Sequence, residues 1–376
     1  MDRKKEVIEK LKKLRSKDPS FADGKIVSSV STEPLDVALE AYRIFSDVNA
    51  LDTYIFPTIQ RIETEVVEYL GSLMKNPRAQ GYVTSGGTEA NIMALYAAKK
   101  LYPQRNEIIV PESAHYSIHK AADLMGLKVV STGLDGRFRA DVESIKENIN
   151  PKTLAVVATA GTASLGAVDP IEEINSLCGD VFLHVDAAFG GFILPFLGTR
   201  RIDFSLDNVD SMTIDPHKMG CCPMPAGSIL FRDASYIEKL TVTPAYLPIS
   251  TYALSGSRPG GAIAATWATL RYLGLDGYRK IVEKCICNTR FLCDRIRRIE
   301  GAAIVTEPDL NVVGIKLANL EENAAALEKR GWRIAVNRDI SCIRFVVMPH
   351  VTREVIAEFA EDLKEILEEK KRDRKK

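Results

Sequence analysis

The sequence predicts an α/β protein with a large domain on a mostly parallel seven-stranded sheet and a smaller C-terminal α/β domain. Three observations lead there. Between residues 81 and 231, seven short apolar runs alternate with helical segments, the order of a sheet whose strands are joined by crossover helices. Several runs, such as Leu154-Ala155-Val156-Val157, are apolar at every position, as in strands covered on both faces. From about Gly261 the texture changes to a long helical stretch, followed by separate strands and helices.

Taken in order, Val7, Ile8, Leu11 and Leu14 space like one face of a helix, and so do Ile59, Ile62, Val66, Leu70 and Leu73. The expected strands of the large sheet are 81–84, 107–110, 128–131, 154–158, 181–185, 210–214 and 228–231. Helices are expected at 88–101, 117–125, 141–148 and 171–177. Residues 241–261 are rich in Pro, Ser, Tyr and Gly without a clear period, and long loops of this kind are often functional. A helical region then runs to about Ile299. Strands follow at 303–306, 312–317 and 343–348, with helices at 320–329 and 352–368. The expected divisions are a helical segment over 1–50, a large domain over 51–260 and a small domain over 261–376.

The bulk numbers narrow the function. Lysine plus arginine equals aspartate plus glutamate, at 50 each, so no net field draws the chain to nucleic acid or an anionic membrane. No run of about 18 apolar residues is present, and the charged stretch Met1–Lys17 lacks the apolar centre of a signal peptide. The seven cysteines have no paired zinc-ligand spacing. They read as reduced thiols of a cytoplasmic protein without a metal. The basic stretch Lys370–Lys376 reads as a solvated end.

Three segments carry candidate chemistry. Ser85-Gly86-Gly87-Thr88 follows a strand and opens a helix. Glycines admit an anion close to the backbone, and a helix start offers free N–H groups. The same pattern also fits a plain turn with Thr88 as cap. Asp186, in His184-Val185-Asp186-Ala187-Ala188, ends an apolar strand, at the sheet edge where α/β proteins bind ligands. Buried there, it needs a cation or donors such as a pyridinium N–H; the other reading is a helix cap. Lys218, in Asp215-Pro216-His217-Lys218, follows another strand end. Desolvation would favour the neutral amine that attacks an aldehyde, and the other reading is a surface lysine. His115 stands after a strand and ahead of a helix, where its plain reading is a half-buried helix start.

The order of these segments is more specific than any one of them. SGGTEAN at Ser85, Ala114-His115, Ala160-Gly161-Thr162, HVDAAFGG at His184, TIDPHKMG at Thr213 and RFVVMPH at Arg344 resemble the fold-type I pyridoxal-phosphate (PLP) enzymes. Within these the resemblance is to the group II amino-acid decarboxylases, and most of all to the archaeal aspartate/tyrosine decarboxylases, over nearly the whole chain. The resemblance implies that Lys218 holds PLP as a Schiff base. Gly87 and Thr88 would bind the phosphate with His217 nearby, and Asp186 would pair with the pyridine nitrogen. Ala188 and His115 would cover the two ring faces, and Thr162 would lie beside the 3-hydroxyl. Ala163 stands where close relatives often carry a second threonine.

A loop tyrosine, Tyr246 or Tyr252, would protonate Cα. Ser257 and Arg258 would reach the phosphate or substrate of a neighbouring subunit, since sites of this family lie at dimer interfaces. Arg258 and Arg344 have two readings, substrate carboxylate binding or structural ion pairs. The implied products are β-alanine for coenzyme A, tyramine for methanofuran, or both.

Overall fold

The computed structural model describes residues 3–373; the first two residues and the end of the basic stretch, 374–376, lie outside the described residues. Its large sheet contains β1 (Gln80–Thr84), β2 (Glu107–Pro111), β3 (Lys128–Thr132), β4 (Thr153–Thr159), β5 (Phe182–Asp186), β6 (Val209–Ile214) and β7 (Gly227–Phe231). The spatial order is β1-β7-β6-β5-β4-β2-β3. Strands β6, β5, β4, β2 and β3 pair in parallel, while β7 runs antiparallel to both of its neighbours. Six of the seven strands therefore point one way, and β1, β2, β4, β5 and β6 end on the same edge.

Strands β2, β4, β5 and β7 are buried at every position, as their unbroken apolar runs require. The helix Gly87–Leu101 connects β1 to β2 and buries Ala90, Met93, Ala94, Leu95, Ala97 and Ala98. These pack with Ile108, Val110, Val157 and Ile229 of the sheet in one hydrophobic cluster. Its small alanines bring the helix close to the strands, which fixes the helix start relative to the sheet edge.

The second sheet, ordered β10-β11-β9-β8, comprises β8 (Ala302–Ile304), β9 (Val312–Leu317), β10 (Ala335–Asn337) and β11 (Cys342–Val346). Its core holds Trp332, Phe345, Phe359, Ile343 and Leu363, with the amphipathic helices Leu320–Lys329 and Arg353–Asp373.

The compact units are drawn differently from the expected divisions at 50 and 260. One unit is residues 34–284 with 306–312; the other holds residues up to Glu33, 285–305 and from Val313 onward. The early chain joins the small sheet because its backbone pairs there. Val27 N–H donates to Arg333 O at 3.1 Å, and Arg333 N–H to Lys25 O at 2.8 Å. The long helix Gly260–Ile296 crosses the division and breaks at Gly274. Its first part stays with the large unit through buried Ala262, Ile263 and Leu270 and through Tyr278, whose hydroxyl donates to Gly220 O. The helix Arg3–Arg15 forms as expected, with Val7, Ile8, Leu11 and Leu14 exposed. The helix Asp36–Ile44 falls within the segment expected to be helical, while the short helix Ala234–Leu240 and the three-residue strand β10 have no counterpart among the expected elements.

All seven cysteines are free thiols. Among the described residues no cluster of His, Cys, Asp and Glu could hold a metal ion, and no helix is long and apolar enough to cross a membrane.

Candidate active site

The carboxyl edge of the large sheet brings most of the sequence candidates together. Asp186 is the last residue of β5 and is 5% exposed. Its Oδ1 accepts from Ala188 N–H at 3.1 Å and its Oδ2 from Asn91 Nδ2 at 2.8 Å. Among the described residues no lysine or arginine bridges to it. Two neutral donors leave a buried anion that still favours a cationic partner.

Lys218 follows β6 with its side chain 20% exposed, and its Nζ lies 3.0 Å from Asp215 Oδ2. Asp215 is fully enclosed, and its Oδ1 has no hydrogen-bond partner. The backbone of Asp215 donates to Ala188 O at 3.2 Å, which ties the lysine segment to the Asp186 segment. His217 Nδ1 accepts from Ala226 N–H at 3.1 Å, and its Nε2 is 3.6 Å from Asp215 Oδ2. Burial pushes the His217 pKa down.

Gly86 and Gly87 close the edge. Gly86 has φ of 141°, and no side chain caps the helix Gly87–Leu101, so its first N–H groups are open to an anion. A Cβ at Gly87 would fall 2.8 Å from Asp215 Oδ2 and 3.3 Å from Ala188 Cβ. Only glycine leaves that space, which lies between the helix start, Ala188 and Asp215. Thr88 is the next residue of this first turn.

His115 caps the helix Tyr116–Met125. Its Nδ1 lies 2.8 Å from Ser117 Oγ and accepts from Ser117 N–H at 3.4 Å. Burial pushes its pKa down; Asp186 and Asp215 pull it up, while Lys218 and Lys120 push it down. The imidazole is therefore in the electrostatic reach of the same residues. Thr162 is buried, but its Oγ1 accepts from Ala167 N–H at 3.1 Å and closes its own loop. Among the described residues no hydrogen bond joins it to Asp186 or Lys218.

The loop candidates lie elsewhere. Tyr252 donates to Gly81 O at 3.4 Å and its ring meets Tyr82 at 5.8 Å. Gly81 stands three residues before the end of β1, roughly 10 Å back from the edge. Tyr246 is 84% exposed. Arg258 places Nη1 at 2.5 Å and Nη2 at 2.9 Å from the two carboxylate oxygens of Glu63, and its Nη1 also donates to Val83 O. Of its two readings, the structure supports the ion pair. Ser257 Oγ accepts from Asn49 Nδ2 at 3.3 Å. Arg344, in the small unit, donates from Nη1 to Ser28 O and keeps a buried Nε without partner.

Sequence reasoning gave no role to Asp215, Asn91, Ser117, His184 or Thr213. Three signals were present. Asp215 stands three residues before Lys218 within the quoted DPHK run, and His184 shares a strand face with Asp186 by period two. Asn91 stands four positions after Gly87, one helical turn on.

The residues at this edge fit PLP. A buried carboxylate lacking a cation faces the edge, an amine stands near it, and an uncapped helix start flanks a space only glycine leaves. Two buried oxygens there, Asp215 Oδ1 and Thr159 Oγ1, are without hydrogen-bond partners, as atoms lining a polar ligand's site would be.

The comparisons agree with this chemistry. The profile described as "Pyridoxal-dependent decarboxylase conserved domain" matches residues 46–318. The sequence is 41% identical over 375 residues to the L-aspartate/L-glutamate decarboxylase of Pyrococcus horikoshii, covering 97% of each chain. It is 40% identical over 358 residues to the probable L-tyrosine/L-aspartate decarboxylase of Methanothermobacter thermautotrophicus, covering 92% of this chain and 98% of that one. The structure superposes on the sphingosine-1-phosphate lyase of Burkholderia pseudomallei with a TM-score of 0.91 at 26% identity, over 98% of this chain and 91% of that chain. On the Lactobacillus brevis glutamate decarboxylase it gives 0.88 at 20% identity, over 98% and 92%, which speaks for the fold. With the profile spanning most of the chain, and near full-length relatives around 40% identical, this protein belongs to the pyridoxal-dependent decarboxylase family.

Proposed function

We propose that the protein is a PLP-dependent amino-acid α-decarboxylase that converts L-aspartate to β-alanine, L-tyrosine to tyramine, or both. The observation that carries the reading is the buried Asp186 carboxylate, held only by Asn91 and Ala188 N–H, at the edge that also bears Lys218. When bound, the cofactor supplies a protonated ring, conjugated to the substrate's Cα, that takes up the electron pair left by departing CO₂.

The chain's residues do the rest. Asp186 holds a proton at the ring nitrogen, and that charge pair offsets the carboxylate's desolvation. Lys218 provides the anchoring amine, and Asp215 positions it through the ion pair. The N–H groups of Gly87 and Thr88, with the Thr88 hydroxyl, bind the phosphate at the helix start, with His217 against the same turn. His115 covers one ring face and Ala188 packs on the other. A tyrosine of the 241–261 loop delivers the proton that Cα needs after CO₂ has left.

The relatives' names support aspartate and tyrosine as substrates, and the Pyrococcus name adds glutamate. We place the products in coenzyme A and methanofuran synthesis and the enzyme in the cytoplasm as a homodimer, with loop residues acting across the interface. An aminotransferase would require a keto acid, and a carbon–carbon lyase would release an aldehyde without CO₂.

The test is to incubate the PLP-loaded protein with aspartate, tyrosine, glutamate and cysteine sulfinate separately and to identify each amine. Amine with stoichiometric CO₂ from aspartate or tyrosine is expected. Turnover that depends on a keto acid would sink the reading. Borohydride reduction and peptide mapping should find the label on Lys218, and a label on another lysine would overturn the anchor.

A further inference from the structure

Asn91 is buried, and both ends of its amide are fully used. Nδ2 donates to Asp186 Oδ2 at 2.8 Å and to Ser117 Oγ at 2.9 Å. Oδ1 accepts from Thr213 Oγ1 at 2.6 Å and lies 3.0 Å from His184 Nε2. The amide has only one orientation, because a carboxylate can only accept.

The rest of the proton arrangement follows from that. His184 is fully enclosed, and burial pushes its pKa down to about 4, so it is neutral at ordinary pH. Facing the Asn91 oxygen, its proton sits on Nε2, and its Nδ1 accepts from the Ser211 hydroxyl at 2.8 Å. Ser117 Oγ already accepts from Asn91, so its own proton goes to His115 Nδ1, 2.8 Å away. The Ser117 backbone N–H points at the same nitrogen. Two donors on Nδ1 leave the proton of a neutral His115 on Nε2.

We propose that Asn91 is a positioning residue that, through one amide, fixes Asp186 as a pure acceptor and His115 as the neutral Nε2–H tautomer. The inference rests on the reading that Asp186 meets the cofactor's ring nitrogen and that His115 covers the ring. It adds a link between the two: the ring's charge partner and its stacking residue share one amide. A proton arriving at His115 Nδ1 would have to turn the Ser117 hydroxyl away and face the Ser117 N–H. The charged groups facing His115 are Asp186 from β5, Asp215 and Lys218 from the segment after β6, and Lys120 from its own helix. The Tyr116 ring, at 4.1 Å, is uncharged. The two carboxylates favour protonation, the two lysines oppose it, and the Ser117–Asn91 chain adds to the opposition.

The test uses the full-length holoenzyme with ¹⁵N-labelled histidine, in the wild-type, S117A and N91D forms. In the wild type, the nitrogen shifts of His115 should report the Nε2–H tautomer between about pH 6 and 8. In S117A, tautomers should mix and the His115 titration should move up in pH. In N91D, which loses both amide donors without changing shape, cofactor retention on dilution should weaken by about tenfold, the scale of losing an outer hydrogen-bond partner. S117A is a small change that keeps the result readable if N91D fails to fold. A wild-type Nδ1–H tautomer, or an S117A protein with unchanged tautomer and titration, would overturn the proposal. The tautomer is read without turnover, so a wrong ring-partner assignment would show separately, as normal cofactor retention in D186N.

Discussion

Lys218 Nζ lies 3.0 Å from Asp215 Oδ2, and that carboxylate is enclosed with its second oxygen unpartnered. The pair fixes where the amine stands after β6, so Asp215 is the residue that positions Lys218 for its proposed role as anchor.

Replacing Asp215 by asparagine removes that charge and keeps the shape. With the ion pair lost, Lys218 is held less firmly, and cofactor retention on dilution should weaken by about tenfold in D215N, the scale of losing an outer partner. Unchanged retention would mean that Asp215 does not position the lysine.

Arg258 and Glu63 form a two-pronged ion pair, and Glu63 Oε1 also accepts from Val83 N–H at 2.9 Å. Truncating one partner of an enclosed pair strands the other charge, so R258A should destabilise the fold by about 3–5 kcal/mol. In urea unfolding this appears as a lower midpoint. A raised KM for aspartate at unchanged stability would instead restore the carboxylate-binding reading of Arg258.

The large sheet was legible because its information is local. An unbroken run such as Leu154–Val157 has only one good environment, the middle of a covered sheet, and β4 is buried throughout. Asp186 and Lys218 stood out in the sequence because one ends a recognisable strand and the other closely follows one. Asn91 was not, because its importance depends on Asp186, Ser117, His184 and Thr213. Nothing in the sequence near residue 91 announces partners up to 122 positions away. Arg258 was ambiguous for the same reason: its partner, Glu63, is 195 residues distant. The small unit's capture of residues near Val27 also rests on pairing with Arg333, far along the chain.

His184 gives the fold a defined acid sensitivity. Its pKa falls from 6.5 to about 4 through burial. Between those values the unfolded chain binds a proton that the folded protein does not, so stability drops as pH falls through that window and is unaffected above it. The full effect is about 3 kcal/mol. H184Q removes it, so the stability gap between wild type and variant at pH 7.5 should shrink by most of that amount at pH 4.5. Asp169 and Asp210, whose pKa values burial raises to about 6, act alike in both proteins and cancel. An unchanged gap in paired urea titrations of cofactor-free protein would refute the neutral, buried assignment.

The two loop tyrosines separate on exposure. Tyr252 has its hydroxyl on Gly81 O and its pKa pushed up to about 12 by burial. Y252F should therefore cost about 1 kcal/mol of stability and leave the rate of amine formation near wild type. Tyr246 stands 84% exposed, so Y246F should not change stability. With the Tyr252 hydroxyl on Gly81 O, Tyr246 is the loop tyrosine left to serve as donor, and its loss should slow amine formation by about 10²-fold. A tyrosine so exposed in one chain fits a site in a second copy, and subunit mixing tests that. In a K218A/Y246F hybrid, a donor acting across the interface leaves one site intact: the Y246F chain contributes Lys218, and its K218A partner contributes Tyr246. Random re-pairing of two inactive variants in a twofold dimer should then restore roughly a quarter of wild-type activity. A donor acting within its own chain restores none, because every site lacks either the lysine or the tyrosine.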